Sequence, residues 1–435
     1  MSTAATIAKP VDAWLPQGEV SRQLNAPEWL ADVQAEALAE YKDIGLPGVR
    51  DEQWRYTNLR AFKNAELSFS TAAITELPAA STGTRLVFVN GHYQAGLSQV
   101  GELPTGVYVG NLAGAFEDHG ELIQSRYGAS LPEQAHGFQQ MNSALHSDGY
   151  AVILPNAAVV EEPIEVIFTH TDGAAGHARN VIMGCNNSQC TVIERHISNG
   201  AEQAVYLNNT ITEIFAGRGC HVDHTKLQME SSASFHFGGV TINQERDSNV
   251  AVHSFALDGN LIRNDVIANL NGEGGHSEMN GLVLGADKMH VDNHTEVNHA
   301  VPHCTSDEYY KTILDDESRS VFRGRIIVAQ DAQQTNADQQ NNNLLLSERA
   351  EADSKPQLEI YADDVKCSHG ATVGQLDAKS LFYLQSRGIN LDAARALLTF
   401  AFANEVVDRI KVESIRQEIT QRIAGELVTD LEDVL

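Results

Sequence analysis

Basic and aromatic side chains are both scarce in this chain. Asp and Glu outnumber Lys and Arg by 58 to 30 among 435 residues, the formal net charge is −28, and aromatic residues make up only 6%. Non-specific nucleic-acid binding needs Lys and Arg to neutralise phosphates, and anionic membranes attract basic segments, so neither partner is expected. Few aromatics and frequent glycine suit a fold of many short strands and tight turns.

Long apolar runs and paired cysteines are also missing. No stretch reaches the roughly 18 apolar residues that a membrane-spanning helix requires, and the N-terminus M-S-T-A-A-T-I-A-K-P lacks the apolar core of a secretory signal. An odd number of cysteines without a CxxC pair is typical of reduced thiols. We therefore expect a cytoplasmic protein without a membrane span. The five cysteines are Cys185, Cys190, Cys220, Cys304 and Cys367.

The motifs of common enzymes do not occur either. There is no GxxxxGK[ST] phosphate loop, no HExxH pair and no GxSxG elbow. The pairs Gly238-Gly239 and Gly274-Gly275 instead indicate turns between strands. The sequence thus predicts no catalytic activity, and any ATP used alongside this chain would be bound by another subunit.

Residues 1–149 predict a mixed, partly helical domain. An amphipathic pattern from Asn25 to Tyr41 predicts a helix that Asn25 caps and that Gly45 and Pro47 end. The run R-L-V-F-V-N-G-H-Y, Arg85 to Tyr93, predicts a strand and a turn.

Residues 150–376 contain a repeat of short strands and polar turns. Similar strands recur at Cys190, Cys220, Val250 and His276, at intervals of about 30 residues. A unit of this size cannot close its own core, so it must stack on its neighbours. Few helical patterns interrupt the strands, which leaves two alternatives, a β-helix or an antiparallel sandwich.

Residues 377–435 predict a helical domain. Asp377 can cap a first helix that Gly388 ends, and Asn390 can cap a second. The expected apolar face of the second helix comprises Ala394, Leu397, Leu398, Ala401 and Phe402, and that of a third helix comprises Val412, Ile415, Ile419, Ile423 and Leu427.

One segment of β character places a thiol beside an imidazole. In V-K-C-S-H-G, Cys367 and His369 are two residues apart, so on a strand both side chains lie on one face. Thiolate and imidazole are ligands for zinc or iron–sulfur clusters, but two ligands are too few for a closed site. The alternative is that Cys367 packs as a small hydrophobe and His369 is an ordinary polar residue.

Five segments together resemble the SufB/SufD scaffold family of the SUF iron–sulfur cluster assembly system. The similarity covers most of the chain from about Asp51 onward. It implies a right-handed parallel β-helix, a non-catalytic scaffold that pairs with a SufB-like paralogue, and a tail that docks a SufC-like ABC-type ATPase. The segments are D-E-Q-W-R-Y-T-N-L (Asp51–Leu59), His290–Ser306, N-N-N-L-L-L-S (Asn341–Ser347), Pro356–Asp377 and L-F-Y-L-Q-S-R-G-I (Leu381–Ile389).

The resemblance also implies roles for individual residues. Asn341 stands where the SufB branch has a cysteine, which favours the SufD branch and implies that the partner supplies a thiolate. His369, and secondarily Cys367, would then offer ligands to a transient cluster at the partner interface, with no cofactor held by the isolated chain. A flavin in the complex is compatible with the family but follows from no motif here. The alternative function is a secreted-type polysaccharide-acting enzyme on a β-helix, which the missing secretion signal and the few aromatics do not favour.

Overall fold

The computed structural model describes residues 27–427 apart from 73, 75, 76, 78–82, 129–134 and 199–202. Strands dominate the central part, and helices lie before and after them. The strands are β1 (Thr84–Val89), β2 (His92–Tyr93), β3 (Tyr108–Asn111), β4 (Tyr150–Leu154), β5 (Ile164–His170), β6 (Ala175–Gly184), β7 (Gln189–Ser198), β8 (Leu207–Ala216), β9 (His221–Met229), β10 (Phe235–Gln244), β11 (Asn249–Asp258), β12 (Leu261–Leu270), β13 (His276–Gly285), β14 (His290–His299), β15 (Thr305–Leu314), β16 (Arg319–Val328), β17 (Asn336–Leu345), β18 (Glu351–Ile360) and β19 (Lys366–Gly374). The helices are α1 (Glu28–Ile44), α2 (Arg60–Asn64), α3 (Leu112–Gln124), α4 (Gly137–Leu145), α5 (Ala378–Ser386), α6 (Leu391–Val407) and α7 (Glu413–Leu427).

From β4 onward, successive strands alternate between two sheets. One sheet has the order β19-β17-β15-β13-β11-β9-β7-β5-β1-β2 and the other β18-β16-β14-β12-β10-β8-β6-β4-β3. Neighbours pair in parallel except β1 with β2 and β3 with β4. This topology confirms the parallel β-solenoid with flanking helical parts and excludes the antiparallel sandwich. Strand β1 lies before the predicted domain boundary at residue 150 but belongs to the same sheet as β5 and β7. That sheet therefore continues across the boundary, and the division into three domains stays a prediction.

The register differs from the sequence alignment of the repeats. Cys190 lies opposite Val222 rather than Cys220, and Val250 lies opposite Ser277 rather than His276. The turns between strands vary in length, so a constant step cannot describe every coil. A slip of one residue matters because it moves a side chain to the other face of the sheet.

The assignment of Gly238 and Gly239 to a turn is wrong, because both lie inside β10. A Cβ atom on Gly238 would come within 2.5 Å of His236 Nε2 and 3.0 Å of Lys226 Nζ, both buried. Glycine is thus needed here for space in a crowded polar interior. Gly274 does lie in a turn, with φ +74°.

The N-terminal helices cover the outer face of the nine-stranded sheet. Helix α1 begins at Glu28, later than expected, and ends at Gly45, whose φ is +64°; the proposed cap Asn25 lies outside the described residues. The predicted strand and turn form the β1–β2 hairpin. The apolar layer contains Leu38, Tyr41, Trp54, Phe62, Phe138 and Met141 from the N-terminal part, and Leu207, Phe235, Phe237 and Leu261 from the sheet.

The C-terminal helices cover the outer face of the ten-stranded sheet. Asp377 accepts a hydrogen bond from the Ser380 backbone N–H, and Asn390 accepts one from Ala393, which confirms both predicted caps. The buried side of α7 is the predicted one at Ile415, Ile419 and Ile423. The predicted face of α6 is correct at Ala394, which is buried, and in part at Phe402, which packs against the same cluster, but it is wrong at the exposed Ala401. The side of α6 that packs on the sheet comprises Ala403, Val406 and Val407.

Candidate functional site

The two sheets end together in an open edge. β18 and β19 are the last strands of their sheets and have a hydrogen-bonded neighbour on one side only, within the part of the chain that the structure describes. The Lys366 backbone N–H donates to Thr335 O at 2.9 Å. Alternate residues of a parallel strand bond to opposite sides. The backbone groups of Cys367, His369 and Ala371 therefore face away from β17, along the open edge.

Cys367 and His369 both lie on β19, as predicted. Cys367 is half-buried and packs against the apolar core inside the solenoid, opposite Ala337. Two residues on, His369 has the same orientation along the strand and is exposed because it lies at the open end. Burial raises the pKa of the Cys367 thiol, so at neutral pH it carries its proton unless a metal displaces it. The exposed imidazole is thus the more accessible of the two candidate ligands.

Next to His369, strands β15 and β17 carry polar side chains on the face that points into the solenoid. Gln339 on β17 lies directly opposite His369, and Glu308 on β15 lies opposite Gln339. Gln339 and Glu308 are both buried, and the Gln339 amide nitrogen donates to Glu308 at 3.1 Å. Asn341 is also buried, and its side-chain oxygen accepts a hydrogen bond from Asn343 at 2.7 Å. No motif in the sequence marks Gln339 or Glu308 as part of this site, although the alternation in N-A-D-Q-Q-N-N-N places Gln339 inward once the register is known.

Two segments of the resemblance, Asp51–Leu59 and His290–Ser306, meet on the outer face of the nine-stranded sheet. Arg263 on β12 donates to Asp265 and Asp292, both at 2.9 Å, and to the backbone oxygen of Gln53 at 2.7 Å. Its guanidinium lies 4.0 Å from the centre of the Trp54 ring. Burial alone would raise the pKa of Asp292, but the Arg263 guanidinium and other donors lower it well below its usual range. These contacts hold the segment Asp51–Leu59 against the outer face of the solenoid.

A third group of residues is apolar and exposed. Phe382 and Tyr383 on α5 are 72% and 56% exposed, and Leu391 at the start of α6 is 45% exposed. By contrast, the apolar side of α7 is buried against the sheet. The exposed aromatic pair is therefore an apolar patch on the surface of the C-terminal helices.

No helix among the described residues is long and apolar enough to cross a membrane. No group of three or more His, Cys, Asp or Glu side chains in the same residues is placed to hold a metal ion.

Fold and site together define a parallel β-solenoid with an open end on which Cys367 and His369 lie. A family model described as the SufBD core domain of SUF system FeS cluster assembly matches residues 167–402, and one for the SufBD N-terminal region matches residues 17–166. The chain therefore belongs to the SufBD family and has a role in iron–sulfur cluster assembly through the SUF system.

Individual relatives agree with the family models. The chain is 31% identical to an iron–sulfur cluster assembly SufBD family protein of Synechocystis sp., over 97% of this chain and 99% of that relative. It is 33% identical to the iron–sulfur cluster assembly protein SufD of Escherichia coli, over 90% and 91% of the two chains. The SufD protein of Bacillus subtilis is 26% identical, over 93% and 95%. These matches favour the assembly role over a polysaccharide-acting enzyme.

Proposed function

We propose that this chain is a non-catalytic scaffold subunit that pairs through its open solenoid end with a SufB-like paralogue. The observation that carries the proposal is the shared edge of β18 and β19, with His369 on it. Unpaired edge strands are templates for pairing with another chain. The nascent cluster is cargo built at this junction, where His369 supplies one ligand and the partner supplies the thiolate that Asn341 cannot.

Blocking the edge of β19 tests the pairing. Ala371→Pro removes a backbone donor that faces away from β17, so it spares the internal ladder while obstructing a strand added outside. We expect affinity for the SufB-like partner to fall about tenfold or more. Ala371→Ser keeps the N–H and serves as the matched control. Unchanged co-purification of Ala371→Pro with the partner would show that the interface lies elsewhere.

Docking of a SufC-like ATPase fits the exposed aromatic pair on α5. The resemblance implies that the tail docks this ATPase, but the apolar residues Ile415, Ile419 and Ile423 of the tail are occupied by packing on the sheet. Phe382 and Tyr383 are exposed and adjacent. Aromatic side chains of this kind commonly supply much of the binding energy of an interface. ATP chemistry would then belong to the docked subunit.

The double variant Phe382→Ala/Tyr383→Ala is expected to weaken ATPase binding about 30-fold or more, since anchor residues contribute about 2 kcal/mol or more. Titration calorimetry with the purified ATPase measures the loss. Tyr56→Ala removes an aromatic side chain, 40% exposed, from the N-terminal part and should bind normally. Pairing with the SufB-like partner should also persist in the double variant. Full ATPase affinity in the double variant would refute this contact.

A further inference from the structure

A column of inward-facing side chains runs through the solenoid to the open end. Met279, Glu308, Gln339 and His369 lie directly opposite one another on β13, β15, β17 and β19. Neighbouring strands are about 4.8 Å apart, so the Gln339 amide is within reach of the His369 ring. Within this column, Gln339 separates a buried carboxyl from the candidate cluster ligand.

Glu308 fixes which way the Gln339 amide points. The carboxyl accepts hydrogen bonds from the Thr295 hydroxyl and from Gln339 Nε2. Because the amide nitrogen donates to the Glu308 carboxyl, the amide oxygen of Gln339 faces away from that carboxyl. Space for this arrangement comes from Gly324 on the opposite sheet, where a Cβ atom would lie 2.2 Å from Gln339 Nε2.

The remaining atom of that amide has no donor. Gln339 Oε1 is buried, and none of the described residues donates a hydrogen bond to it. A buried carbonyl oxygen without a donor is unfavourable and calls for a partner. His369 is the next residue of the column, and its ring carries an N–H.

We propose that Gln339 is a positioning residue for His369, accepting the ring N–H on its amide oxygen while Glu308 holds the amide in place. This inference rests on the proposed role of His369 as a ligand. A histidine that donates one N–H to a fixed acceptor is held in one tautomer, with the lone pair of its other nitrogen free for a metal. Gln339 would thus turn an exposed ring at the open end into a ligand of defined direction.

Nitrogen-15 NMR of the histidine rings in the complete complex tests the proposal. The His369 signals are those missing from the His369→Ala complex. We expect one neutral tautomer to dominate in the wild type, and a mixture of tautomers in Gln339→Met, which keeps the chain length without the amide. Cellular cluster assembly should fall about 10- to 100-fold in that variant, as is usual when a supporting hydrogen bond of a metal-bound histidine is lost.

Two further variants keep the test decisive. Gly324→Ala adds a methyl group on the opposite sheet, where it would push the Gln339 amide out of position. This variant should therefore also give a mixture of His369 tautomers, and it provides the test even if Gln339→Met folds poorly. Gln340→Leu alters the adjacent, exposed glutamine on the outer face and should change neither readout. Unaltered tautomers in both Gln339→Met and Gly324→Ala would overturn the positioning role. Normal cluster assembly in His369→Ala would instead overturn the ligand role itself, whatever the tautomers show.

Discussion

Replacing His369 by alanine is expected to abolish cluster assembly in cells while the complex with its partners still forms. The ring is exposed at the open end of β19, and removing one exposed side chain from an interface rim costs little binding energy. A nascent cluster with one ligand missing has an open coordination position and is lost to solvent. The measurements are the activities of iron–sulfur enzymes in cells that depend on this chain, together with complex yield and melting temperature.

The control for this experiment is His221→Ala, which removes another exposed histidine, on β9, far from the edge. It should support normal assembly. Cys367→Ser should be milder than His369→Ala, because burial raises the pKa of the Cys367 thiol and so disfavours the thiolate form that binds metal. An equal loss in Cys367→Ser would identify the thiol as a second ligand. Normal enzyme activities in the His369→Ala strain would contradict the ligand role.

Arg263→Ala is expected to lower the free energy of unfolding by about 3–5 kcal/mol. The change takes the guanidinium away from the buried carboxylates of Asp265 and Asp292, and removing one partner of a buried ion pair is strongly destabilising. It also removes the cation stacked on Trp54. Denaturant unfolding followed by circular dichroism and tryptophan fluorescence would measure the loss.

Arg325→Ala is the matched control, since Arg325 forms ion pairs with Glu296 and Glu359 on the same sheet but is 38% exposed. Exposed pairs contribute about 1 kcal/mol or less, so this variant should remain close to the wild type. If Arg263→Ala lost no more stability than Arg325→Ala, the contacts between Arg263 and the segment Asp51–Leu59 would contribute little to the free energy of unfolding.

Local features of the fold could be read from the sequence because they depend on near neighbours. The caps Asp377 and Asn390 act on backbone groups three residues away, and Gly45 ends its helix through its own backbone angle. The shared face of Cys367 and His369 follows from strand geometry alone. Each of these predictions was confirmed.

Features set by distant residues could not be read in this way. The register of the coils depends on turn lengths, so the positions opposite Cys190 and Val250 were misassigned. Helix α6 has apolar residues on several sides, and only the sheet beneath it decides that Val406 and Val407 are buried while Leu397 is not fully so. For the same reason the column from Glu308 to His369 was missed, because its members are about 30 residues apart in sequence.

Each coil of the solenoid contributes one strand to each sheet and packs only on the coils next to it. The stability of the core is therefore approximately a sum of contributions from adjacent coils. The coil of β18 and β19 has a neighbouring coil on one side only in the described structure. At the other end the short strands β2 and β3 pair antiparallel with β1 and β4 and are likewise the last strands of their sheets. In a stack of this kind the terminal coil opens most readily. His369 therefore lies in a coil that is expected to open more readily than the inner coils, and a partner that adds the next coil would stabilise it. His369 would then become well ordered only after the partner has bound. Under the proposed function, the cluster could be built only on the assembled pair of subunits.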